Sequence, residues 1–131
     1  MPLVTISLSD VFSSQEQRAI ADSVHDAIVA AGFPEGDRFQ KIHRLSRDRF
    51  IVDASHPNLS EPRSERFVLI EIVISKGRTR EFKKDLLMGI VQNLSQGSVV
   101  APKDIMVLFL ETDRENWAFT AGIQHYVEED T

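Results

Sequence analysis

Arg66-Phe67-Val68-Leu69-Ile70-Glu71-Ile72-Val73-Ile74, followed by Ser75-Lys76-Gly77-Arg78-Thr79, is the stretch that decides the fold. Its first nine residues are rich in β-branched and apolar side chains, as expected for a central strand covered on both faces. The next five form a turn, with Thr79 placed to cap a helix. In that helix Phe82, Leu86, Ile90 and Leu94 recur every four residues, with Leu87 and Val91 beside them, so one face is apolar. Gly97 lies near its end, and Pro102 and Lys103 lead into a last strand, Ile105 to Glu111. Strand, helix and strand in this order predict a β-α-β unit. Its strands are parallel and its crossover right-handed, because the linking helix must pack back on the sheet.

The same order occurs upstream. In Met1-Pro2-Leu3-Val4-Thr5-Ile6-Ser7-Leu8, the apolar Val4, Ile6 and Leu8 alternate with Thr5 and Ser7, which is the period of a half-buried strand. Ser13 with Glu16, or Ser14 with Gln17, supplies a capping box. The following helix sets Ile20, Val24, Ala27, Ile28 and Ala31 on one face, and Gly32 and Pro34 stop it. Arg38 to Leu45 reads as a second strand, with Phe39 and Ile42 as its apolar members. Ser14 and Thr79, Gly32 and Gly97, Pro34 and Pro102, and Asp37 and Asp104 stand 65 to 68 residues apart. That spacing points to a duplicated unit.

The expectation is one α/β (α+β) domain over residues 1–131, with halves at about 1–60 and 66–131. It would hold a four-stranded mixed sheet with two helices on one face. The other face is apolar in places and needs cover, from which oligomerisation is inferred. Between the halves, Arg49 to Val52 reads as a short strand. Asp53 to Ser64, with Pro57 and Pro62, reads as a loop. A short hairpin is expected from Phe119 to Val127.

Composition narrows the function. The net charge of −5 argues against nucleic acid as the main partner, because acidic residues interrupt the local basic cluster of Arg38 to Arg49. No cysteine is present, which excludes thiol catalysis, disulfides and Cys-based zinc sites. His25, His43, His56 and His125 share no ligand spacing, so no metal site is expected. His25 reads as a surface or partly packed residue. No apolar run approaches a membrane span. The first ten residues show no secretory leader pattern, so no membrane partner and a cytoplasmic location are expected.

The residues that could carry chemistry each admit two readings. Pro2 suits the start of an edge strand, where its missing N–H costs little. With Met1 removed it also becomes a secondary amine able to act as acid, base or nucleophile. Arg78 is either a solvated turn residue or a fixed cation beside the free N–H groups of a helix N-terminus, a good anion site. Asp37 is either a turn residue or a carboxylate that would hold a proton on a nearby amine. Lys76 alone reads as a solvated lysine, and Trp117, Phe119 and Tyr126 read as packing residues.

Pro2 at a strand start, two β-α-β halves and Gly77-Arg78-Thr79 between strand and helix together resemble the tautomerase superfamily. The nearest resemblance is to malonate semialdehyde decarboxylase and its relatives. It is carried by Pro2-Leu3, Arg18-Ala19-Ile20-Ala21-Asp22, Asp37-Arg38-Phe39-Gln40, Arg66 to Ile70 and Asn116-Trp117-Ala118-Phe119. The resemblance implies a homotrimer that uses neither metal nor organic cofactor. It implies an active site centred on Pro2 with Asp37 and Arg78, and a substrate pocket with Lys76, Trp117, Phe119 and Tyr126. Lys76 stands where that branch has an arginine, and a lysine offers a point charge in place of a bidentate fork. The implied function is a tautomerase (isomerase) or decarboxylase (lyase) acting on a small 2-oxo or 3-oxo acid by keto–enol tautomerisation, decarboxylation or hydration. A trimeric binding or regulatory protein that kept the fold and lost the chemistry is the alternative.

Overall fold

The computed structural model describes residues 1–97 and 99–127. Strand β1 (Leu3–Ser9) leads to helix α1 (Ser14–Ala30) and strand β2 (Phe39–Leu45). After a long connection, strand β3 (Val68–Ser75) leads to helix α2 (Arg80–Gln96) and strand β4 (Ile105–Thr112). The sheet order is β2-β1-β3-β4. β1 is parallel to β2 and β3 is parallel to β4, while β1 and β3 run antiparallel in the middle. This is the mixed four-stranded sheet of two β-α-β units that the hydrophobic pattern predicts.

The sequence chemistry explains the element ends. Ser13 caps α1: its hydroxyl accepts from the Glu16 N–H, and the Glu16 carboxylate accepts from the Ser13 N–H. Of the two possible capping boxes, Ser13 with Glu16 forms. Gly32, at φ +114°, takes the left-handed conformation that ends the helix at little steric cost. Gly97 does not repeat that role. It is the cap residue of α2 itself, at φ −71°, so the two glycines are not structural equivalents. Thr79 caps α2 by accepting from the Phe82 N–H.

Val4, Ile6 and Leu8 of β1 and Val68, Ile70, Ile72 and Ile74 of β3 point to one side. There they meet Ile20, Val24 and Ile28 of α1 and Leu86, Ile90 and Leu94 of α2 in one core. Each such aliphatic side chain, fully buried, contributes roughly 1.5–3 kcal/mol of transfer free energy. β3 is central, but its burial alternates between buried and half-buried residues. Its second face is therefore not covered as the first is, because both helices lie on the same side.

Three further expectations are corrected. Arg49 to Val52 is no strand: a short 3-10 helix spans Arg47–Arg49 and the chain runs on irregularly. The connection after it packs Phe50, Val52 and Phe67 beside Leu69 and Met106, so this segment covers part of the open sheet face. Phe119 to Val127 forms turns rather than a hairpin, since Ala121 and Gly122 both take positive φ and leave no extended run to pair. His25 is buried, with Nε2 2.9 Å from the Glu35 carbonyl. A backbone partner makes that burial tolerable.

Candidate active site

Strand directions create the site. Leu3 pairs with Phe39 on one side and with Val73 on the other, and Ser75 pairs with Thr112. The start of β1, the start of β2 and the ends of β3 and β4 therefore meet at one end of the sheet. Every turn leaving that end contributes a charged residue.

The chain's amine enters first. The Met1 nitrogen lies 3.3 Å from Asp37 Oδ2, and both side chains are largely buried, at 8% and 12% exposure. Asp37 sits in the turn before β2, fixed by its own N–H to the Pro34 carbonyl. Its Oδ1 is buried without a hydrogen-bond partner among the described residues, a costly arrangement where nothing else binds there. Burial lowers the Met1 amine below its ordinary 8.0. Asp37 pulls it back up, and the Arg78 and Arg114 charges push it down again. At the Met1 amine, desolvation outweighs the pull of Asp37 toward the protonated form.

Arg78 leaves β3 through a turn that needs Gly77 at φ +107°, a conformation other side chains rarely adopt. The residue is exposed, but its guanidinium has a defined seat. It lies over the rings of Phe33 and Phe82, 4.7 Å from each centroid, and makes no ion pair among the described residues. Two aromatic faces hold the cation in place and leave its N–H donors available.

Met1, Ser75, Lys76, Arg78, Arg114 and Tyr126 line a cavity of about 110 Å³. Tyr126 is held edge-on by Phe119. Phe119 also stacks on Trp117 and on Phe39. Burial and the Asp37 charge raise the Tyr126 hydroxyl above its ordinary 10.0, against the opposing Arg114 charge. Trp117 stands behind Phe119 and outside the cavity lining, with its Nε1 buried and unpartnered among the described residues. Pro2 is buried directly behind Met1. Its nitrogen is a tertiary amide while Met1 is attached.

Lys76 lines the cavity, but its Nζ lies 3.1 Å from Asp113 Oδ1. Arg114, from the short helix Arg114–Asn116 after β4, is the lining residue that the sequence reading passed over. It lies between two acids in Asp113-Arg114-Glu115, where a solvated residue is the ordinary inference. Its place just before Asn116-Trp117-Ala118-Phe119 was the one available signal. The arrangement gathers three cationic side chains around one amine and two carboxylates, in a chain of net charge −5. Such a concentration of positive charge attracts small anions.

Fold and site together define an α+β protein of duplicated β-α-β units with a small pocket beside Met1 lined by Lys76, Arg78 and Arg114. The chain belongs to the tautomerase family: the family model described as tautomerase enzyme matches residues 37–120. It is similar to the FG41 malonate semialdehyde decarboxylase whose structure was solved inhibited by 3-bromopropiolate. That likeness is 32% identity over 95% of this chain and 93% of the other, at a TM-score of 0.87. A second malonate semialdehyde decarboxylase structure, described with decarboxylase and hydratase activities, is 23% identical over 94% of each chain, TM-score 0.86. Native fused 4-OT shares the fold at 14% identity over 92% of this chain and 94% of the other, TM-score 0.75. No curated protein matches the chain. Among the described residues, no helix is long and apolar enough to cross a membrane.

Proposed function

We propose that this chain is a cofactor-independent enzyme acting on a small 2-oxo or 3-oxo acid by tautomerisation, decarboxylation or hydration. Pro2, freed by loss of Met1, is its acid or base. The observation that carries the reading is the meeting of the chain's amino terminus with Arg78 at one small cavity, and with Asp37 3.3 Å from its nitrogen. The 32% identity to a malonate semialdehyde decarboxylase supports it.

In this reading Arg78 binds the substrate carboxylate. Asp37 orients the Pro2 nitrogen, while Lys76, Trp117, Phe119 and Tyr126 shape the pocket. In tautomerisation the neutral amine takes a proton from the carbon next to the carbonyl and returns it at another position. In decarboxylation the protonated amine hydrogen-bonds to the carbonyl oxygen of a 3-oxo acid. The bond to the carboxylate then breaks, its electron pair forms the enolate, carbon dioxide leaves, and the proton is returned to carbon. In hydration, water adds to the substrate with the amine moving the proton. Burial lowers the Met1 amine at this end of the sheet, and a Pro2 amine set in the same surroundings would be biased toward its neutral, proton-accepting form.

The homotrimer belongs to the same proposal. Met106, Leu108 and Leu110 alternate on the open face of β4 at 45%, 47% and 41% exposure. An apolar row of this kind is suited to an interface between copies. Light scattering checks it: a trimer is expected, and a monomer of about the 14.8 kDa chain mass would contradict it. The single-domain reading of residues 1–131 is kept as part of the proposal.

A binding protein that has lost the chemistry is the second reading. The observation favouring it is the Lys76–Asp113 pair, which occupies a cation that the pocket would use. Assay of untagged protein against a panel of 2-oxo and 3-oxo acids separates the two. Turnover of at least one acid is expected, and none across the panel would leave the binding reading.

A further inference from the structure

We infer that Arg114 is a further carboxylate-binding, specificity-determining residue of this pocket, taking the part in anion recognition that Lys76 gives up by pairing with Asp113. The inference rests on the small-acid reading above and extends it to a residue outside the set of Pro2, Asp37, Lys76 and Arg78.

Three observations carry it. First, Arg114 lines the same cavity as Met1, Arg78 and Tyr126, and its charge reaches both the Met1 amine and the Tyr126 hydroxyl. Second, it is uncommitted: among the described residues its side chain makes neither an ion pair nor a hydrogen bond, whereas the adjacent Asp113 is taken by Lys76 at 3.1 Å. Third, its backbone is fixed on both sides. Asn116 donates to the Asp113 carbonyl at 3.0 Å and, through Nδ2, to Thr112 Oγ1 at 2.6 Å. Gln124 Nε2 donates to the Glu115 carbonyl at 2.9 Å, which ties this short helix to the segment carrying Tyr126. A guanidinium on a fixed backbone is a better carboxylate fork than a lysine already holding an acid.

Chemistry follows from the pairing of Arg78 with Arg114. Two free guanidinium groups on one small cavity fit a short acid with two anionic or carbonyl oxygen groups, one for each fork. A monoacid with an apolar tail would leave one fork unused.

Malonate, a short dianion that is not an oxo acid, is a suitable probe. Its affinity is measured by calorimetry on the parent, Arg114→Ala, Arg114→Lys, Lys76→Ala and Arg78→Ala proteins, with Trp117 emission as a second readout. Loss of a charged hydrogen-bonding partner weakens an anion by about tenfold or more. That is the result expected for Arg114→Ala, with Arg114→Lys between it and the parent. Lys76→Ala should lower affinity by clearly less than Arg114→Ala does, because Asp113 already holds that lysine. All variants should melt with the parent. Unchanged affinity in Arg114→Ala, an equal loss in Lys76→Ala, or no malonate binding by the parent would overturn the inference. If no oxo acid is turned over but malonate binding still depends on Arg114, the enzyme reading fails and this inference stands.

Discussion

The two ends of the central strand pair make opposite use of the same parts. At the end where β1 finishes and β3 begins, Arg66 lies over the Phe12 ring, 4.3 Å from its centroid. It is then neutralised by Glu16 at 2.6 Å and donates to the Val99 carbonyl at 2.9 Å. Asp104, buried at that end, accepts from the Ser64 N–H and hydroxyl at 2.7 and 2.6 Å. At the other end Arg78 also lies over aromatic rings, but no acid answers it among the described residues. Asp37 there faces the chain's amine and leaves one oxygen unpartnered. Arg66 and Asp104 are thus satisfied internally at one end, while Arg78 and Asp37 are left unsatisfied at the other. A fold tolerates such unsatisfied groups where a ligand completes them, and the unsatisfied end is the one with the small cavity.

Exchanging the perturbation between the ends is the strongest way to break this comparison. Arg78→Ala should lower kcat/KM on a turned-over oxo acid by roughly ten- to a hundredfold. Its melting transition should move little, since the ring contacts it loses are worth about 0.5–1 kcal/mol at exposed sites. Arg66→Ala should do the reverse, leaving turnover intact and costing about 1–2 kcal/mol of stability, its ion pair being partly exposed. Steady-state kinetics and denaturant unfolding on both variants check the crossing, and parallel losses in both would break it.

The two aspartates sharpen it further. Asp104→Ala removes a buried acceptor and its two bonds from the exposed Ser64, and should cost about 1 kcal/mol or somewhat more. Asp37→Asn should leave unfolding nearly unchanged. Because Asp37 is the group that raises the Met1 amine, the substitution should lower that amine's pKa further, whereas Arg114→Ala should raise it. The pH dependence of acylation of the terminal amine reads both signs.

Smaller effects come from the caps. Ser13→Ala breaks a reciprocal capping box and should cost about 1 kcal/mol, while Thr79→Ala loses a single bond and should cost about 0.5 kcal/mol, as read by denaturant unfolding. Smallest is the acid limb. Glu16 is held below its ordinary 4.5, first by its bond to the Ser13 N–H and then by Arg66. Its folded form binds the proton more weakly, so its contribution is complete above the unfolded value and is lost as pH falls through the lowered one. Glu16→Gln should flatten that part of the stability profile, measured as unfolding midpoint against pH.

What the sequence made legible follows from periodicity and caps. Strands β1, β3 and β4, both helices and the Thr79 cap could be read because apolar spacing and hydroxyl caps are local signals. Asp53 to Ser64 is the loop its prolines predict, but the packing of Phe50 against Phe67 could not be read, because only tertiary structure brings these aromatics together. His25 looked peripheral because its carbonyl partner lies beyond the helix end. In the pocket, Arg78 was legible through its glycine turn and helix start. Arg114 was not, since a lone arginine between acids has no pattern, and only the topology that brings the end of β4 beside the start of β1 gives it a place. Gly97 misled because an equal spacing does not require an equal backbone conformation.

The most direct test of the account compares turnover by protein processed to a free Pro2 with that of protein retaining Met1, on the same oxo acid. The processed form should be active, with a pH–rate titration that the Met1-retained form lacks. The Met1-retained form should fall to background, because its Pro2 nitrogen cannot take or give a proton. Undiminished turnover with Met1 attached would contradict the account and remove Pro2 from the chemistry.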